Sequence, residues 1–383
     1  MRSKYLGHTR LSKLVIAIIL LLILLSIALL LSIAPTSISS STSSLTSSST
    51  SSLATQTTQT KVPSSAVRNP SAHSTSKLSF AIALTSCPSD DSVQHDSAIT
   101  GLSDGSAVLR HSIIRNMMEW DGTLDFVAIV HESVKDSECV EALRWAGWNI
   151  MTVETPVEIS SIKTPNLKDR IHNNGCCGEL ELIKFYSYTL VSSSAVLFLD
   201  VDSMLMNPIT PLVNELLSAP SVEAMYTKDW GMVQPGMKAG AQGGFLLLKP
   251  SMETFDLFRR IVLNVPFNEP GSKGWGGSGL GPFWGAMTFQ GLLPYVYEEY
   301  EPGDFKGMIG KGRNDLLEGV ERKGRSVEID RCVYNVMMDN PKTKDDSECR
   351  GPVKGVTDCQ DCRMQRPEDI TTFHFTLCQK PWN

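Results

Sequence analysis

The residues best placed to do chemistry are two aspartates one position apart, Asp200 and Asp202, at the end of the apolar run Ala195-Val196-Leu197-Phe198-Leu199. This is the only Asp-x-Asp in the chain. Side chains at i and i+2 of a strand face the same way, so a strand continuing through Val201 would bring both carboxylates to one point at the carboxyl edge of a sheet. Ligands of open α/β sheets bind at that edge. Two convergent carboxylates there favour a hard divalent cation, and a cation favours a diphosphate. The plainer reading is a turn cap before Asn207-Pro208.

The elements that must position this pair follow from periodicity. Strands are expected over Ser79–Thr85, Asp125–His131, Trp148–Val153, Ala195–Val201, Val222–Thr227 and Gly244–Lys249. Helices are expected between them, over Gly105–Glu119, Ser137–Ala146, Glu179–Val191 and Ser251–Leu263. Such alternation implies an α/β domain with a largely parallel sheet. The Gly- and Pro-rich stretch Pro266–Pro282 reads either as a lid or as a plain surface excursion.

Ahead of this domain the chain changes character. Leu14 to Ala34 is a run of 21 uncharged, Leu- and Ile-rich residues, long enough to cross a bilayer core of about 30 Å as a helix. Arg2, Lys4, Arg10 and Lys13 precede it with no acidic residue, which keeps residues 1–13 cytosolic and sends the body across the membrane, a single-pass type II arrangement. A cleaved signal peptide ending near Ser32-Ile33-Ala34 is the competing reading. Between Thr36 and Thr60, 19 of 25 residues are Ser or Thr, so residues 35–77 are expected to be a disordered stalk, with the catalytic domain over 78–383. No N-glycosylation sequon is present, because Asn69-Pro70-Ser71 is disqualified by its proline.

Charge excludes one class of partner. Residues 1–77 hold seven bases and no acid, so the rest of the chain, with 28 bases against 41 acids, carries −13. A body of that sign repels phosphate backbones, and nucleic acid is not an expected partner. All nine cysteines lie in the body, where an oxidising lumen makes disulfides the first expectation. Cys359-Gln360-Asp361-Cys362 leaves zinc and redox readings open, without a second Cys-x-x-Cys to complete a zinc site.

Lys184-Phe185-Tyr186, followed by Val196-Leu197-Phe198-Leu199-Asp200-Val201-Asp202, resembles the glycogenin-like glycosyltransferases of family 8, which keep a lysine sixteen residues before the first aspartate. Three later segments follow in the family's order. Ala241-Gln242-Gly243-Gly244-Phe245 through Pro250-Ser251 is similar to its Asn-Ser/Ala-Gly strand, and Phe289-Gln290-Gly291 to its Asp-Gln element. His374-Phe375-Thr376-Leu377-Cys378-Gln379-Lys380-Pro381-Trp382 is similar to its closing His-x-x-Gly-x-x-Lys-Pro-Trp. The resemblance covers about Leu78 to Asn383.

The resemblance implies a GT-A type nucleotide-diphospho-sugar transferase fold, a Rossmann-like mixed sheet flanked by helices. It implies a retaining transferase that moves a sugar from a nucleotide donor, UDP-linked by expectation, to a glycan or glycoprotein acceptor. Donor contacts would come from Lys184, Asp200, Val201, Asp202, Gln242, Gly243, Gly244, His374 and Lys380. Asp200, Asp202 and His374 would hold the cation, and a mixed nitrogen and oxygen set favours Mn²⁺ over Mg²⁺. Lys380 would neutralise charge on the departing diphosphate. Gln290 is the expected front-face contact; Asp229, after a predicted strand, is a sugar-binding group or, in a two-step mechanism, a nucleophile.

The departures from the family are specific. Phe289 stands where the acceptor-side aspartate would fall, Gln242 replaces the asparagine, Leu377 replaces a glycine, and Leu102 occupies the place of a nucleobase-stacking aromatic. They indicate a divergent branch with an altered donor or acceptor. The architecture places the expected enzyme in the Golgi or ER membrane, with its catalytic domain lumenal. Two other classes remain open at this point: an inactive transferase homologue acting as a partner, and a lumenal carbohydrate-binding protein using the aspartates for Ca²⁺. Hexose, N-acetylhexosamine and uronic acid donors all fit.

Overall fold

The computed structural model describes residues 76–87, 95–175, 177–230, 238–268, 274–281, 283–301, 322–337, 362 and 365–375. The expected membrane segment 14–34 lies outside them, as does the stalk except for its last two residues. Among the described residues no helix is long and apolar enough to cross a membrane.

In chain order the elements are β1 (Ser76–Leu84), α1 (His95–Asn116), β2 (Gly122–His131), α2 (Glu138–Trp145), β3 (Asn149–Val153), α3 (Pro165–Arg170), β4 (Ala195–Leu199), β5 (Ser203–Leu205) and α4 (Thr210–Ser218). There follow β6 (Ala224–Lys228), β7 (Ala241–Leu248), α5 (Met252–Asn264), β8 (Phe267–Asn268), β9 (Gly274–Trp275), α6 (Phe289–Pro294), β10 (Ser326–Glu328), α7 (Arg331–Tyr334), β11 (Val336–Met337) and β12 (Thr372–His374). Seven strands form the main sheet in the order β10-β6-β7-β4-β1-β2-β3. Every pairing in it is parallel except the two made by β7, which runs against β4 and β6. The carboxyl ends of β4 and β6 therefore meet the amino end of β7 at one edge.

The run Ala195–Leu199 and all eight residues of β7 are buried, as central strands covered on both faces must be. Alternate side chains enter two apolar layers. Val196, Phe198, Leu246 and Leu248 face Phe185, Phe258 and Phe289, while Leu197, Leu199, Phe245 and Leu247 join a layer with Leu109, Ile113, Leu143 and Leu212.

Several boundaries differ from expectation for identifiable reasons. β1 begins at Ser76, inside the segment assigned to the stalk, because Lys77 is tied at 2.8 Å to Asp125 on the neighbouring strand. α1 starts before Gly105 and passes through Gly101, since buried Gly101, Gly105 and Ser106 let it pack closely; the Trp148 indole donates to the Ser106 carbonyl at 3.2 Å. Leu102, in the expected place of a stacking aromatic, thus lies inside α1 and packs against the apolar layer. The expected α-helix Glu179–Val191 is a 3₁₀ helix over Gly178–Thr189. Three residues per turn stack i on i+3, which lines up the buried polar residues Glu181, Lys184 and Ser187. Ser187 Oγ donates to the Lys184 carbonyl at 2.7 Å. Finally, β4 stops at Leu199, so Asp200 and Asp202 occupy a tight turn into β5, closed by the Ser203 N–H donating to the Asp200 carbonyl at 3.1 Å. Their convergence comes from that turn and not from strand alternation.

Cys87 is bridged to Cys139, and Cys332 to Cys362. The second bridge answers the zinc and redox readings of Cys362, whose sulfur is already engaged; Cys359 lies outside the described residues. Within Pro266–Pro282, β8 and β9 pair as a hairpin, and Trp275 is buried, its indole donating to the Ala286 carbonyl at 2.8 Å.

Candidate active site

A second, three-stranded sheet completes the site. β12 lies between β11 and β5, antiparallel to β5 with His374 opposite Ser203. Since β5 follows Asp202 directly, this register sets the imidazole beside the aspartate turn. His374 Nε2 is 3.3 Å from Asp202 Oδ1 and 3.7 Å from Asp200 Oδ2. One ligand atom from each of the three residues lies within 4.8 Å of the others. The Phe375 N–H donates to the Asp202 carbonyl at 2.8 Å, fastening the strand past His374 to the same turn.

Lys184 reaches the turn from the 3₁₀ helix. Its Nζ donates to Asp200 Oδ1 at 3.0 Å and to the Gly243 carbonyl at 3.1 Å, and lies 5.5 Å and 5.7 Å from the ring centroids of Phe198 and Phe289. Phe289 is fully buried against Phe185. The position where the resemblance would put an acceptor-side aspartate is therefore part of the aromatic core, and its ring lies under the Lys184 ammonium.

The Gly243-Gly244 pair is required by proximity. A Cβ on Gly244 would fall 2.3 Å from His374 Cε1 and 2.9 Å from Asp200 Oδ2. On Gly243 it would meet Lys184 Nζ at 3.4 Å and Gln290 Cγ at 3.5 Å. The two glycines thus face the aspartate–histidine cluster and the Lys184–Gln290 side respectively. Gln242 Oε1 accepts from the Gly244 N–H at 2.6 Å and from Asn335 Nδ2 at 2.7 Å. Its carbonyl oxygen braces the strand edge and is not offered to a sugar. Val201 packs its side chain against the apolar layer.

Asp229 and Gln290 meet, with Gln290 Nε2 donating to Asp229 Oδ2 at 3.4 Å. The Asp229 N–H donates to the Gly240 carbonyl at 2.9 Å, which holds it at the end of β6. Beside it, Lys228 bonds Glu298 at 2.8 Å, and the Trp230 indole donates to Glu328 at 3.0 Å. Burial, and then the Glu298 carboxylate, push the Tyr226 phenol well above its usual range, so it stays protonated and donates to Glu298 at 2.6 Å. Lys380 lies outside the described residues, as does Leu377.

Sequence reasoning missed three residues that hold the site. Asn335 Nδ2 bridges Gln242 and Thr227 Oγ1, the latter at 2.9 Å. Thr288 Oγ1 donates to buried Glu181 at 2.6 Å, tying the 3₁₀ helix to the segment carrying Gln290. A buried polar residue in a helix is a faint signal for Glu181; nothing in the sequence marks Asn335 or Thr288.

No protein-family model matches the chain, and no curated protein matches its sequence. Among solved structures the chain is similar to mouse xyloside xylosyltransferase 1 in its apo form, with 13% identity over 80% of this chain and 99% of that one and a TM-score of 0.42. It is also similar to the galactosyltransferase LgtC in complex with donor and acceptor sugar analogues, at 16% identity over 80% of this chain and 89% of that one, TM-score 0.34. A third is a glycosyltransferase involved in glycosylation of the major capsid of PBCV-1, at 12% identity over 80% and 94%, TM-score 0.34.

The residues present fit a divalent cation. The 3.3 Å and 3.7 Å separations are near the roughly 3 Å edge of an octahedron with bonds of about 2.1 Å. Among the described residues, His374 Nδ1 is buried with no hydrogen-bond partner, so the ring is placed by its strand and by the Nε2 contact with Asp202. Exchanging Lys184 for methionine keeps the stem between the two rings and removes the donor to Asp200. Mn²⁺ affinity is expected to fall about 10- to 100-fold, measured by titration with electron paramagnetic detection; an unchanged affinity would show that Lys184 does not orient the carboxylate.

Proposed function

We propose that this chain is a metal-dependent glycosyltransferase of GT-A type, related to family 8, that moves a sugar from a UDP-sugar to a glycan or glycoprotein acceptor with retention at the anomeric carbon. The observation that carries the reading is the Asp200–Asp202–His374 cluster at the carboxyl edge of the sheet, with Lys184 on Asp200 and Gly244 backed against the imidazole. The three residues would hold a divalent cation, Mn²⁺ in this proposal, which supplies counter-charge to the diphosphate.

The chain's own residues would do the rest. Lys184 fixes one oxygen of Asp200 and leaves the other turned toward His374. Gly243 and Gly244 give Lys184, Gln290, Asp200 and His374 room to close against the amino end of β7. Gln290 and Asp229 would bind donor hydroxyls as a joined pair, with the Gln290 amide at the front face; that bond favours the single-step course over Asp229 acting alone as a nucleophile. Lys380 would meet charge on the departing diphosphate. The N-terminal segment supports a single-pass type II protein of the Golgi or ER membrane with this domain lumenal.

The test is nucleotide release from a panel of UDP- and GDP-sugars by a secreted form beginning upstream of Ser76, with Mn²⁺ and with EDTA. One donor should be hydrolysed, and EDTA should remove the activity. Absence of release together with absence of Mn²⁺-dependent UDP binding sinks the proposal in favour of the inactive homologue or the carbohydrate-binding protein.

A further inference from the structure

Resting on the transferase reading, we propose that Trp284 is the platform on which the ring of a pyranoside acceptor stacks, so that the acceptor is a carbohydrate and not the bare hydroxyl of a polypeptide. The segment from Phe283 to Gln290 is fastened at three successive residues. The Trp275 indole donates to the Ala286 carbonyl at 2.8 Å, the Met287 N–H donates to Asn174 at 2.8 Å, and Thr288 donates to Glu181 at 2.6 Å. Gly285 to Phe289 are all buried, and Phe283 packs its ring against Gly240. Trp284 alone is turned out, with 56% of its surface exposed.

Its place relative to the chemistry is set by Gly285. That residue has φ +84°, a conformation that L side chains rarely adopt, and a Cβ there would lie 2.0 Å from Gln290 Oε1. The backbone carrying the indole therefore runs directly against the amide that pairs with Asp229. An exposed indole one residue from the glycine packed on that amide matches the two characters of a pyranose, whose C–H face stacks on an aromatic surface while its hydroxyls reach polar groups at the edge. A polypeptide hydroxyl would call for an extended backbone groove with main-chain partners, and the pinned segment offers its hydrogen bonds inward.

The experiment uses the full chain loaded with UDP and Mn²⁺, titrated with methyl glycosides of glucose, galactose, xylose, mannose and N-acetylglucosamine, and with a Ser/Thr peptide, following tryptophan fluorescence and saturation transfer. At least one pyranoside should bind, Trp284→Ala should weaken it about fivefold to tenfold, and Trp284→Phe should restore most of the loss. The UDP isotherm of each variant checks that the donor side is intact; if the alanine variant does not fold, Trp284→Gln takes its place. Pyranoside binding that Trp284→Ala leaves within about twofold overturns the proposal, as does binding of the peptide alone or of neither. Failure of wild-type protein to bind UDP in Mn²⁺ overturns the transferase reading itself, and this inference with it.

Discussion

Replacing Asp202 by asparagine should abolish Mn²⁺-dependent UDP binding, with an affinity loss of about a thousandfold. The amide keeps the shape of the side chain, so the turn into β5 and its bond to Phe375, both made by main-chain atoms, are preserved. What is removed is the anionic oxygen 3.3 Å from His374 Nε2. Asp200→Asn should cost less, since Asp200 already shares its charge with Lys184 at 3.0 Å. Calorimetric titration of UDP with and without Mn²⁺ reads both effects, and urea denaturation of the metal-free variants separates a lost ligand from a lost fold. An Asp202→Asn protein that binds UDP within threefold of the parent would show that the cluster is not the metal site.

The second large effect is expected from a residue that carries no functional group. Gly244→Ala would place a methyl 2.3 Å from His374 Cε1 and 2.8 Å from Nδ1, closer than packed atoms tolerate. The imidazole is buried on a strand held between two others, so it cannot retreat without unpairing β12 from β5. Mn²⁺ affinity should drop about a hundredfold, while Gly243→Ala, whose methyl makes ordinary contacts at 3.4 Å and 3.5 Å, should leave it intact and act instead on donor turnover. Equal metal affinity in the two alanine variants would remove His374 from the ligand set.

Local contacts are written in this sequence far more plainly than distant ones. Strands such as Ala195–Leu199 and Ala241–Leu248 were legible because burial on both faces demands an unbroken apolar run. Asp200 and Asp202 were legible as a pair, but not the turn that joins them, since Val201 extends the strand pattern two residues beyond Leu199, where β4 stops. His374 could be named only through a motif: its place depends on the pairing of β12 with β5, far apart in the chain. The change from α to 3₁₀ over Gly178–Thr189 was hidden because neighbours three apart, such as Ile183 and Tyr186, share a face in both helices, and the stacked polar row Glu181, Lys184, Ser187 decides between them. Phe289 read as a missing carboxylate; its burial against Phe185 shows a position taken over by the core.

The late arrival of β12 also bears on how the protein is made. All seven strands of the main sheet have been synthesised by Glu328, whereas the third member of the Asp200–Asp202–His374 cluster comes from a strand at Thr372–His374. A nascent chain can therefore build its large sheet while the cluster still lacks its imidazole. On the proposed reading, nucleotide binding would begin only once the chain has been made past His374, and a product terminated between Glu328 and Thr372 would hold every strand of the large sheet and yet be inert toward donor.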